Sequence, residues 1–385
     1  MTTDSNLFPD MDDAEAGARG PTTGILPSHV LRDMIRAKEI SAVPEIDDNQ
    51  VQPASIDLRL GPVAYRVRAS FLPGPNHDVA ARIADFSLHE IDLSAGAVLE
   101  TGCVYVVPLL EHLALNHELS GAANPKSSTG RIDVFTRLIT DRARAFDRVV
   151  RGYRGPLYAE ISPQTFGIVV RQGSRLNQLR LRRGTPPPND ARLRDVDERI
   201  GLVGDAPDKK NIRHGGVAFT VDLAGDAKTG LIGYRAKRHA GLIDVDRAGV
   251  YDPSDYWEPV HANKQRRLIL DPNEFYILVS KETVKVPPDY AAEMAAYDTQ
   301  VGEFRVHYAG FFDPGFGYST DGSAGSRAVL EVRSHKVPFI LEDGQIVGRL
   351  VYERLTGEPR ELYGAGIGSS YQGQGLALSK HFKRD

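Results

Sequence analysis

The chain has 385 residues, which is enough for two or three domains with hydrophobic cores of their own. Its hydrophobic content of 41%, charged content of 25% and net charge of −4 are typical of an ordinary globular protein and give no general attraction for nucleic acid. No apolar run approaches the roughly 20 residues that span a bilayer, so no membrane span is predicted. An anionic ligand would therefore need a local cluster of cations and backbone N–H groups.

Residues 1–24 are polar and acidic and are predicted to form a disordered N-terminal tail rather than a signal peptide. Cys103 is the only cysteine, so an intramolecular disulfide is impossible and a cytoplasmic location is expected. After the tail, Ser28 is predicted to cap a short helix over about 28–37. Four apolar side chains are predicted to share one face of this helix: Val30, Leu31, Met34 and Ile35.

After this helix come short apolar runs that are separated by turn-forming residues. This pattern is typical of an all-β barrel or sandwich. In the first half of the chain the runs are 55–61, 103–107, 157–161 and 167–170. In the second half they are 218–223, 275–279, 305–309, 328–332 and 346–352. Residues 226–268 match none of these motifs and are predicted to be an insertion.

The same pattern occurs twice. Six residues recur at a constant shift (331 − 160 = 171): Leu99, Tyr105, Glu111, Glu160, Gly173 and Leu179 become Leu270, Tyr276, Glu282, Glu331, Gly344 and Leu350. Because the shift holds over about eighty residues without a gap between its ends, a duplication explains it. We therefore predict a mainly β protein with two tandem repeats, 25–185 and 213–385. The Pro-rich and charged stretch 186–212 is predicted to link them.

The two repeats differ in a segment whose residue types suit phosphate binding. Residues 126–131 of the first repeat read Lys-Ser-Ser-Thr-Gly-Arg, whereas 297–302 of the second read Tyr-Asp-Thr-Gln-Val-Gly. Two hydroxyls, backbone N–H groups and two cations within six residues suit a phosphate or sugar phosphate. The same composition is typical of a solvated loop, and both interpretations stay open at this point.

One predicted strand of each repeat carries a glutamate between apolar residues. These are Glu160 in Tyr-Ala-Glu-Ile and Glu331 in Val-Leu-Glu-Val. By strand alternation each carboxylate can point away from its apolar neighbours into solvent. A carboxylate inside such a strand also suits a general acid/base with a tuned pKa. The residues alone do not choose between these two interpretations.

A strand that runs into a tight turn is predicted over 307–316. Asp313-Pro314-Gly315 supplies the turn, and the neighbouring Phe311 and Phe312 are suited to pack against a planar nucleotide base. A plain hairpin without a ligand explains the same residues.

Together these motifs resemble the dCTP deaminase family, within the trimeric dUTPase-like superfamily. The second repeat resembles it through the segments 309–316, 329–331 and 344–350 and through the terminal Tyr363…Tyr371-Gln-Gly-Gln374. The first repeat resembles it through 53–61 and through 126–131, which is similar to the family's Arg-Ser-Ser-x-x-Arg motif. The resemblance reaches from about residue 28 to the C-terminus. It implies two dUTPase-like β-barrel (β-clip) domains with short helices.

The resemblance also implies a reaction: hydrolytic deamination of dCTP to dUTP and ammonia, without a metal in the chemistry. A strand glutamate activates the water that attacks cytosine C4, and Glu331 takes that position in the second repeat and Glu160 in the first. Ser127 and Arg131 match the residues that orient the water and stabilise charge. The substrate-binding residues implied are Lys126, Ser128, Gly130, Ala309, Asp313, Val329, Tyr363, Tyr371 and Gln374. The triphosphate would arrive with Mg²⁺.

The chain departs from the family pattern in both repeats. Lys126 replaces the first arginine of the motif, and Ser370 stands where a lysine often precedes Tyr371. The second repeat lacks serine and arginine in 297–302, and the first lacks the Asp-Pro-Gly hairpin and the Tyr-x-x-Gln tail.

The distribution of motifs implies how the repeats cooperate. In single-domain relatives the site forms between neighbouring subunits. Here Ser127 and Arg131 of the first repeat are therefore expected to complete a pocket built by the second. The resemblance further implies a homo-oligomer, expected as three chains that carry six repeats.

Three other functions were weighed against deamination of dCTP. A zinc-dependent cytidine deaminase is excluded, because its metal needs a Cys-x-x-Cys pair and the chain has one cysteine. A dUTPase, or a bifunctional enzyme that releases dUMP, shares the fold and the Ser-Ser-x-Gly loop, but the dUTPase reaction needs no glutamate at the base edge. A catalytically silent nucleotide sensor would keep the same binding motifs. The two strand glutamates favour deamination.

Overall fold

The computed structural model describes residues 22–185, 189–204, 212–296, 304–306, 310–318, 325–334, 336–364 and 375–384. The predicted tail up to residue 21, the segment 297–302 and the candidate residues Ala309, Tyr371 and Gln374 lie outside these ranges. Gly24, which the sequence placed in the tail, belongs to a strand and pairs with Arg183.

The first repeat is built from fourteen strands and three helices. The strands are β1 Gly24–Ile25, β2 Ile40–Ala42, β3 Val51–Gln52, β4 Ser55–Leu58, β5 Val63–Val67, β6 Ser87–Asp92, β7 Ala97–Leu99, β8 Val104–Ala114, β9 Leu119–Pro125, β10 Val134–Thr140, β11 Arg148–Val149, β12 Arg154–Pro163, β13 Ile168–Val170 and β14 Asn177–Arg183. The helices are α1 Ser28–Arg36, α2 Val79–Phe86 and α3 Ser127–Gly130.

The described part of the second repeat and of the segment before it contains fourteen strands and two helices. The strands are β15 Val203–Gly204, β16 Ile212–Arg213, β17 Gly216–Thr220, β18 Leu231–Ala236, β19 Ile243–Asp244, β20 Trp257–His261, β21 Arg267–Leu270, β22 Phe275–Val284, β23 Tyr290–Ala296, β24 Phe304–Val306, β25 Phe311–Phe312, β26 Ser326–Ser334, β27 Phe339–Glu342 and β28 Ile346–Arg354. The helices are α4 Asp190–Ile200 and α5 Pro253–Tyr256. None of the helices in the described ranges has the length and apolar character that a bilayer crossing requires.

Each repeat folds into two main sheets whose inner faces form its core. In the first repeat the strand orders are β11-β9-β14-β4-β3 and β10-β12-β8-β5-β6. In the second they are β16-β17-β28-β23-β25 and β20-β18-β22-β26-β24. The mainly β fold predicted from the sequence is thus confirmed.

The two repeats have the same strand register, so the duplication is structural as well as sequential. Strands β8, β9 and β13 recur as β22, β23 and β27, each starting 171 residues later (275 − 104 = 171). Glu160 of β12 lies opposite Val106 of β8, and Glu331 of β26 lies opposite Ile277 of β22. The two glutamates therefore occupy equivalent places in equivalent sheets.

The repeated residues without a chemical role maintain this fold. The hydroxyl of Tyr105 accepts a hydrogen bond from the Glu100 amide at 3.1 Å, and that of Tyr276 accepts one from the Asp271 amide at 3.2 Å. Gly173 and Gly344 both adopt positive φ, at 89° and 78°, in the turn before the last strand of each repeat. A side chain there would be strained, which explains why glycine occurs in both copies.

The other repeated carboxylate, Glu111 and its counterpart Glu282, is structural. Glu111 accepts hydrogen bonds at 2.8 Å from the backbone N–H and the Nε of Arg59. Glu282 accepts them from the backbone N–H and the hydroxyl of Thr220, at 2.8 and 2.7 Å. Glu111 thus joins the residue after β4 to the long central strand β8. Glu282 joins the end of β17 to the long central strand β22.

The structure corrects two expectations about local structure. The prediction that Ser28 caps helix α1 is wrong. Ser28 is the first residue of the helix, and the residue before it, Pro27, makes no side-chain cap. The segment 226–268 is not an insertion. Its strands β18 and β20 form a hairpin that pairs with β22, and the β5–β6 hairpin of the first repeat pairs with β8 in the same way. Different loop lengths around this hairpin obscured the match in the sequence.

The segment between the repeats is partly helical. Asn189 caps α4 by accepting a hydrogen bond from the Arg192 amide at 2.9 Å. Leu193 and Val196 of this helix pack into the core of the second repeat. Part of the predicted linker 186–212 is thus an element of the second core.

The two repeats also pack against each other. Strand β19 adds to β13 in parallel, with Ile168 opposite Ile243. Tyr256 and Trp257 of the second repeat are buried in the core cluster of the first. This packing brings the end of β9 close to β25 and β26, where the candidate site lies.

Candidate active site

A cavity of about 1000 Å³ lies between the two repeats. The first repeat supplies its wall from the end of β9 and from α3, and the second supplies it from β25, the turn that follows and β26. Sequence-predicted residues that line the cavity are Lys126, Ser127, Ser128, Arg131, Asp313, Val329, Glu331 and Tyr363. Both halves of the predicted site therefore face one cavity within one chain.

The first-repeat wall is a single helical turn with internal support. The Gly130 and Arg131 amides donate to the Lys126 and Ser127 carbonyls at 3.0 and 3.1 Å. The ammonium of Lys126 forms an ion pair with the buried carboxylate of Asp57 on β4. Gly130 closes the turn and is not among the described residues that line the cavity.

Glu331 and Arg131 meet at the buried end of the cavity. The Oε1 of Glu331 lies 3.8 Å from the Nε of Arg131, and both side chains are at most 6% exposed. Burial raises the pKa of Glu331 to about 7, and the nearby guanidinium of Arg131 counters only part of that shift. A carboxyl group with this pKa can both accept and return a proton near neutral pH.

Ser127 lies across from the hairpin of the second repeat. A Cβ atom at Gly310 would lie 3.8 Å from the Ser127 hydroxyl oxygen, which is ordinary van der Waals contact, so the two walls lie close together here. Phe311, Phe312 and Phe316 line the cavity beside it, with the rings of Phe312 and Phe316 in edge contact at 5.0 Å. Aromatic walls next to polar groups suit a planar base.

Asp313 is held by an arginine from the other repeat. The Nη2 of Arg180, on β14, lies 3.0 Å from the Oδ1 of Asp313. Arg180 also donates to the Ala292 carbonyl at 2.9 Å, and its guanidinium lies over the Phe311 ring at 4.0 Å. Burial raises the pKa of Asp313, and Arg180 opposes the shift. Arg180 thus fixes the turn that carries Asp313.

Glu160 has a different environment from its counterpart. Its Oε1 accepts a hydrogen bond from the Nε of Arg137 at 3.0 Å, and that guanidinium lies 3.8 Å from the centre of the Phe146 ring. Glu160 is 3% exposed and does not line the cavity that contains Glu331. The two strand glutamates therefore share a register but not a site.

The sequence did not single out several residues of the cavity wall. Asp57 lies in a motif that carries the resemblance but was not assigned a role there. Lys380 lines the cavity from the C-terminal segment. No signal in the sequence marks it, because its place depends on the return of the chain from the second repeat to the first.

The C-terminal segment 375–384 returns to the first-repeat wall. The Nη1 of Arg131 donates to the Ala377 carbonyl at 3.1 Å. The hydroxyl of Ser379 donates to the Ser128 carbonyl at 2.8 Å. This segment therefore fixes both the arginine and the backbone of the Ser-Ser turn.

Comparisons with known proteins agree with this architecture. The family model "2'-deoxycytidine 5'-triphosphate deaminase (DCD) N-terminal domain" matches residues 22–185, and the model for the C-terminal domain matches 189–382. A crystal structure of 2'-deoxycytidine 5'-triphosphate deaminase from Agrobacterium tumefaciens is similar with a TM-score of 0.83 and 57% identity. The similarity covers 87% of this chain and 99% of that one.

Three curated relatives match between 36% and 45% of the chain. "dCTP deaminase, dUMP-forming" of Beutenbergia cavernae is 29% identical over 182 residues, 45% of this chain and 90% of the relative. The protein of the same name from Streptomyces coelicolor is 30% identical over 159 residues, 39% of this chain and 80% of the relative. "dCTP deaminase" of Natronomonas pharaonis is 28% identical over 141 residues, 36% of this chain and 68% of the relative. The first of these relatives is thus about half as long as this chain.

The fold and the cavity define a class: a dUTPase-like β protein of double length, whose two repeats face one shared cavity. Within that class the chain belongs to the 2'-deoxycytidine 5'-triphosphate deaminase family, in its double-domain form. The family resemblance predicted from the sequence is confirmed. The enzymes of this family are hydrolases that act on carbon–nitrogen bonds.

Proposed function

We propose that this protein hydrolyses dCTP to dUTP and ammonia, with Glu331 as the general acid/base. The observation that carries the proposal is the meeting of Glu331, Arg131 and Ser127 in one cavity, with both charged side chains buried. A buried carboxyl group whose pKa is about 7 is matched to proton transfer near neutral pH.

The steps follow from the chemistry of these groups. Glu331 takes a proton from a water molecule whose oxygen forms a bond to cytosine C4. As that bond forms, the electron pair of the C4–N3 double bond moves onto N3. The same carboxyl group then gives the proton to the exocyclic amino group, the bond from C4 to that nitrogen breaks as the pair on N3 re-forms the double bond, and ammonia leaves. Transfer of the remaining hydroxyl proton to N3 gives the uracil ring. Arg131 stabilises the negative charge that develops near C4, and Ser127 orients the water through its hydroxyl group.

Other residues of the cavity suit the rest of the nucleotide. Lys126 and Ser128 supply a cation and a hydroxyl for phosphate oxygens. Asp313, fixed by Arg180, is proposed to accept a hydrogen bond from the deoxyribose, and the backbone of Val329 is proposed to contact the base edge. Gly130 acts through the shape of the turn. Tyr363 is held beside the cavity by its amide, which donates to the Pro314 carbonyl at 2.7 Å.

We propose that Mg²⁺ binds together with the nucleotide substrate and is not held by a metal site of the protein. Among the described residues, no group of three or more His, Cys, Asp or Glu side chains is arranged to hold a metal ion. Phosphate oxygens are the usual Mg²⁺ ligands of a nucleoside triphosphate. We further propose a homo-oligomer of three chains and, from the single cysteine, a cytoplasmic location.

Incubation of the purified protein with dCTP and Mg²⁺ tests the proposal directly. We expect loss of cytosine absorbance together with release of ammonia, and we expect both to persist in a zinc-selective chelator. A nucleotide sensor would bind dCTP without either change. Inactivation by the chelator that only zinc restores would contradict the metal-free mechanism.

A second candidate activity is release of dUMP. Relatives from Beutenbergia cavernae and Streptomyces coelicolor are named "dCTP deaminase, dUMP-forming". In that reaction a second water would cleave the bond between the α- and β-phosphates and give dUMP and diphosphate. Quantifying dUTP, dUMP and diphosphate in the same incubation separates the two products. A protein that cleaves dUTP but leaves dCTP unchanged would be a dUTPase.

The raised pKa of Glu331 predicts a pH dependence. As the general base, Glu331 must be ionised in the free enzyme, so we expect kcat/KM to fall about tenfold per pH unit below a pKa of about 7. Initial rates at low dCTP concentration, measured between about pH 5.5 and 8.5, give this profile. A flat profile over that range would argue against ionised Glu331 as the base.

A further inference from the structure

The described cations of the cavity wall differ in how they are held. Arg32 pairs with Asp48 and Glu361, at 2.7 and 3.1 Å. The Nη2 of Arg175 lies 2.7 Å from the Oδ1 of Asn49. These two guanidinium groups are oriented by partners at the rim.

Lys380 reaches the same cavity from a backbone that is fixed on both sides. On one side, Ser379 is bound to the Ser128 carbonyl. On the other, the Nε2 of His381 lies 3.0 Å from the Val245 carbonyl oxygen, and its Nδ1 lies 2.8 Å from the Ser379 hydroxyl. Burial lowers the pKa of His381 to about 4.

Phe382 anchors the end of the segment. Its side chain is 2% exposed, and its ring makes edge contacts with Tyr251, Tyr256 and Trp257 at 6.4, 5.4 and 5.9 Å. Burial of this aromatic side chain removes apolar surface from water and so stabilises the packed position of the terminal segment. Lys380 is therefore presented by an ordered scaffold.

Both cations and carboxylates lie around the ammonium group of Lys380. Partial burial lowers its pKa, the charges of Lys126 and Arg175 lower it further, and Asp57 and Asp246 act in the opposite direction. A phosphate chain that lies beside Lys380 and Lys126 would be attracted by both ammonium groups.

We propose that Lys380 binds the phosphate chain of the nucleotide together with Lys126, since both line the same cavity beside the Ser-Ser turn. The proposal rests on the proposed function, because it assigns a residue to the same site. The C-terminal segment then has two roles. The Ala377 carbonyl positions Arg131, and Lys380 supplies a cation for the substrate.

The test compares Lys380→Gln with Lys383→Gln, which removes the same charge from an exposed residue three positions along the chain. We expect Lys380→Gln to raise the KM for dCTP about 10- to 100-fold with kcat within about twofold, as the loss of a charge-assisted hydrogen bond predicts. Lys383→Gln should match the wild type, and Lys380→Arg should recover most of the affinity. Equal thermal unfolding midpoints would show that the variants are folded.

A second measurement separates this proposal from the proposed function. Calorimetry with inorganic triphosphate, which carries no base, should show binding to the wild type and a tenfold or greater loss of affinity in Lys380→Gln. If the wild type binds triphosphate in this way but does not deaminate dCTP, the proposed function fails and the role of Lys380 stands. If Lys380→Gln binds triphosphate and dCTP as Lys383→Gln does, or the wild type binds no triphosphate, the role of Lys380 is refuted.

Discussion

Replacement of Glu331 by glutamine should abolish deamination while dCTP still binds. The substitution keeps the size and one hydrogen-bonding oxygen but removes the group that accepts and returns the proton, so kcat should fall by at least about 10²–10⁴-fold. Because the carboxyl group is buried and its pKa is raised by burial, the neutral amide should be tolerated where it lies. Calorimetry with dCTP and a continuous absorbance assay measure the two effects separately.

Glu160→Gln is the matched control for this experiment. It makes the same change at the equivalent strand position of the other repeat, where the carboxylate is paired with Arg137 outside the cavity. We expect its turnover to stay near that of the wild type, with at most a lower unfolding temperature from the loss of the ion pair. Normal turnover in Glu331→Gln together with inactivation of Glu160→Gln would mean that catalysis resides in the other repeat.

Much of the fold could be predicted because the duplication left the residues that determine the fold in both copies. Tyr105 and Tyr276 receive equivalent backbone hydrogen bonds, and Gly173 and Gly344 occupy equivalent turns. Such residues are constrained by backbone geometry, which a sequence pattern records directly. The β18–β20 hairpin was misread because its core contacts tolerate different loop lengths, so the constant shift is lost there.

The candidate site could be predicted in part for a related reason. The sequence indicated that Ser127 and Arg131 belong with the second repeat, since each repeat lacks what the other keeps. It could not indicate that one chain brings them together, because that depends on how the repeats pack. Arg180 and Lys380 escaped prediction altogether, as their roles arise from contacts between segments that are distant in the sequence.

Glu160 illustrates the limit of the duplication as a guide to chemistry. Its strand and its register match those of Glu331. The difference comes from Arg137, which pairs with the Glu160 carboxylate from the adjacent strand β10. A repeated residue therefore indicates a repeated position, and only its surroundings decide whether a proton can be transferred there.

Arg131→Ala should also inactivate the enzyme, and mixing should not rescue it. Removing the guanidinium takes away the charge that stabilises the reacting centre, for which we expect a loss of about 10²–10³-fold in kcat. The corresponding position of the second repeat is Gly302, so that repeat supplies no substitute. Arg144→Ala, which removes an exposed arginine from the same repeat, is the control and should leave turnover unchanged.

Co-expression of Arg131→Ala with Glu331→Gln then distinguishes two arrangements of the site. If Arg131 and Glu331 serve the same cavity within one chain, as their separation of 3.8 Å implies, every cavity in a mixed assembly lacks one of them and the mixture stays inactive. If the working site instead crosses between chains, mixed assemblies contain some intact cavities and activity returns. Restored turnover would therefore contradict the one-chain site. Full activity of Arg131→Ala alone would mean that Arg131 takes no part in catalysis.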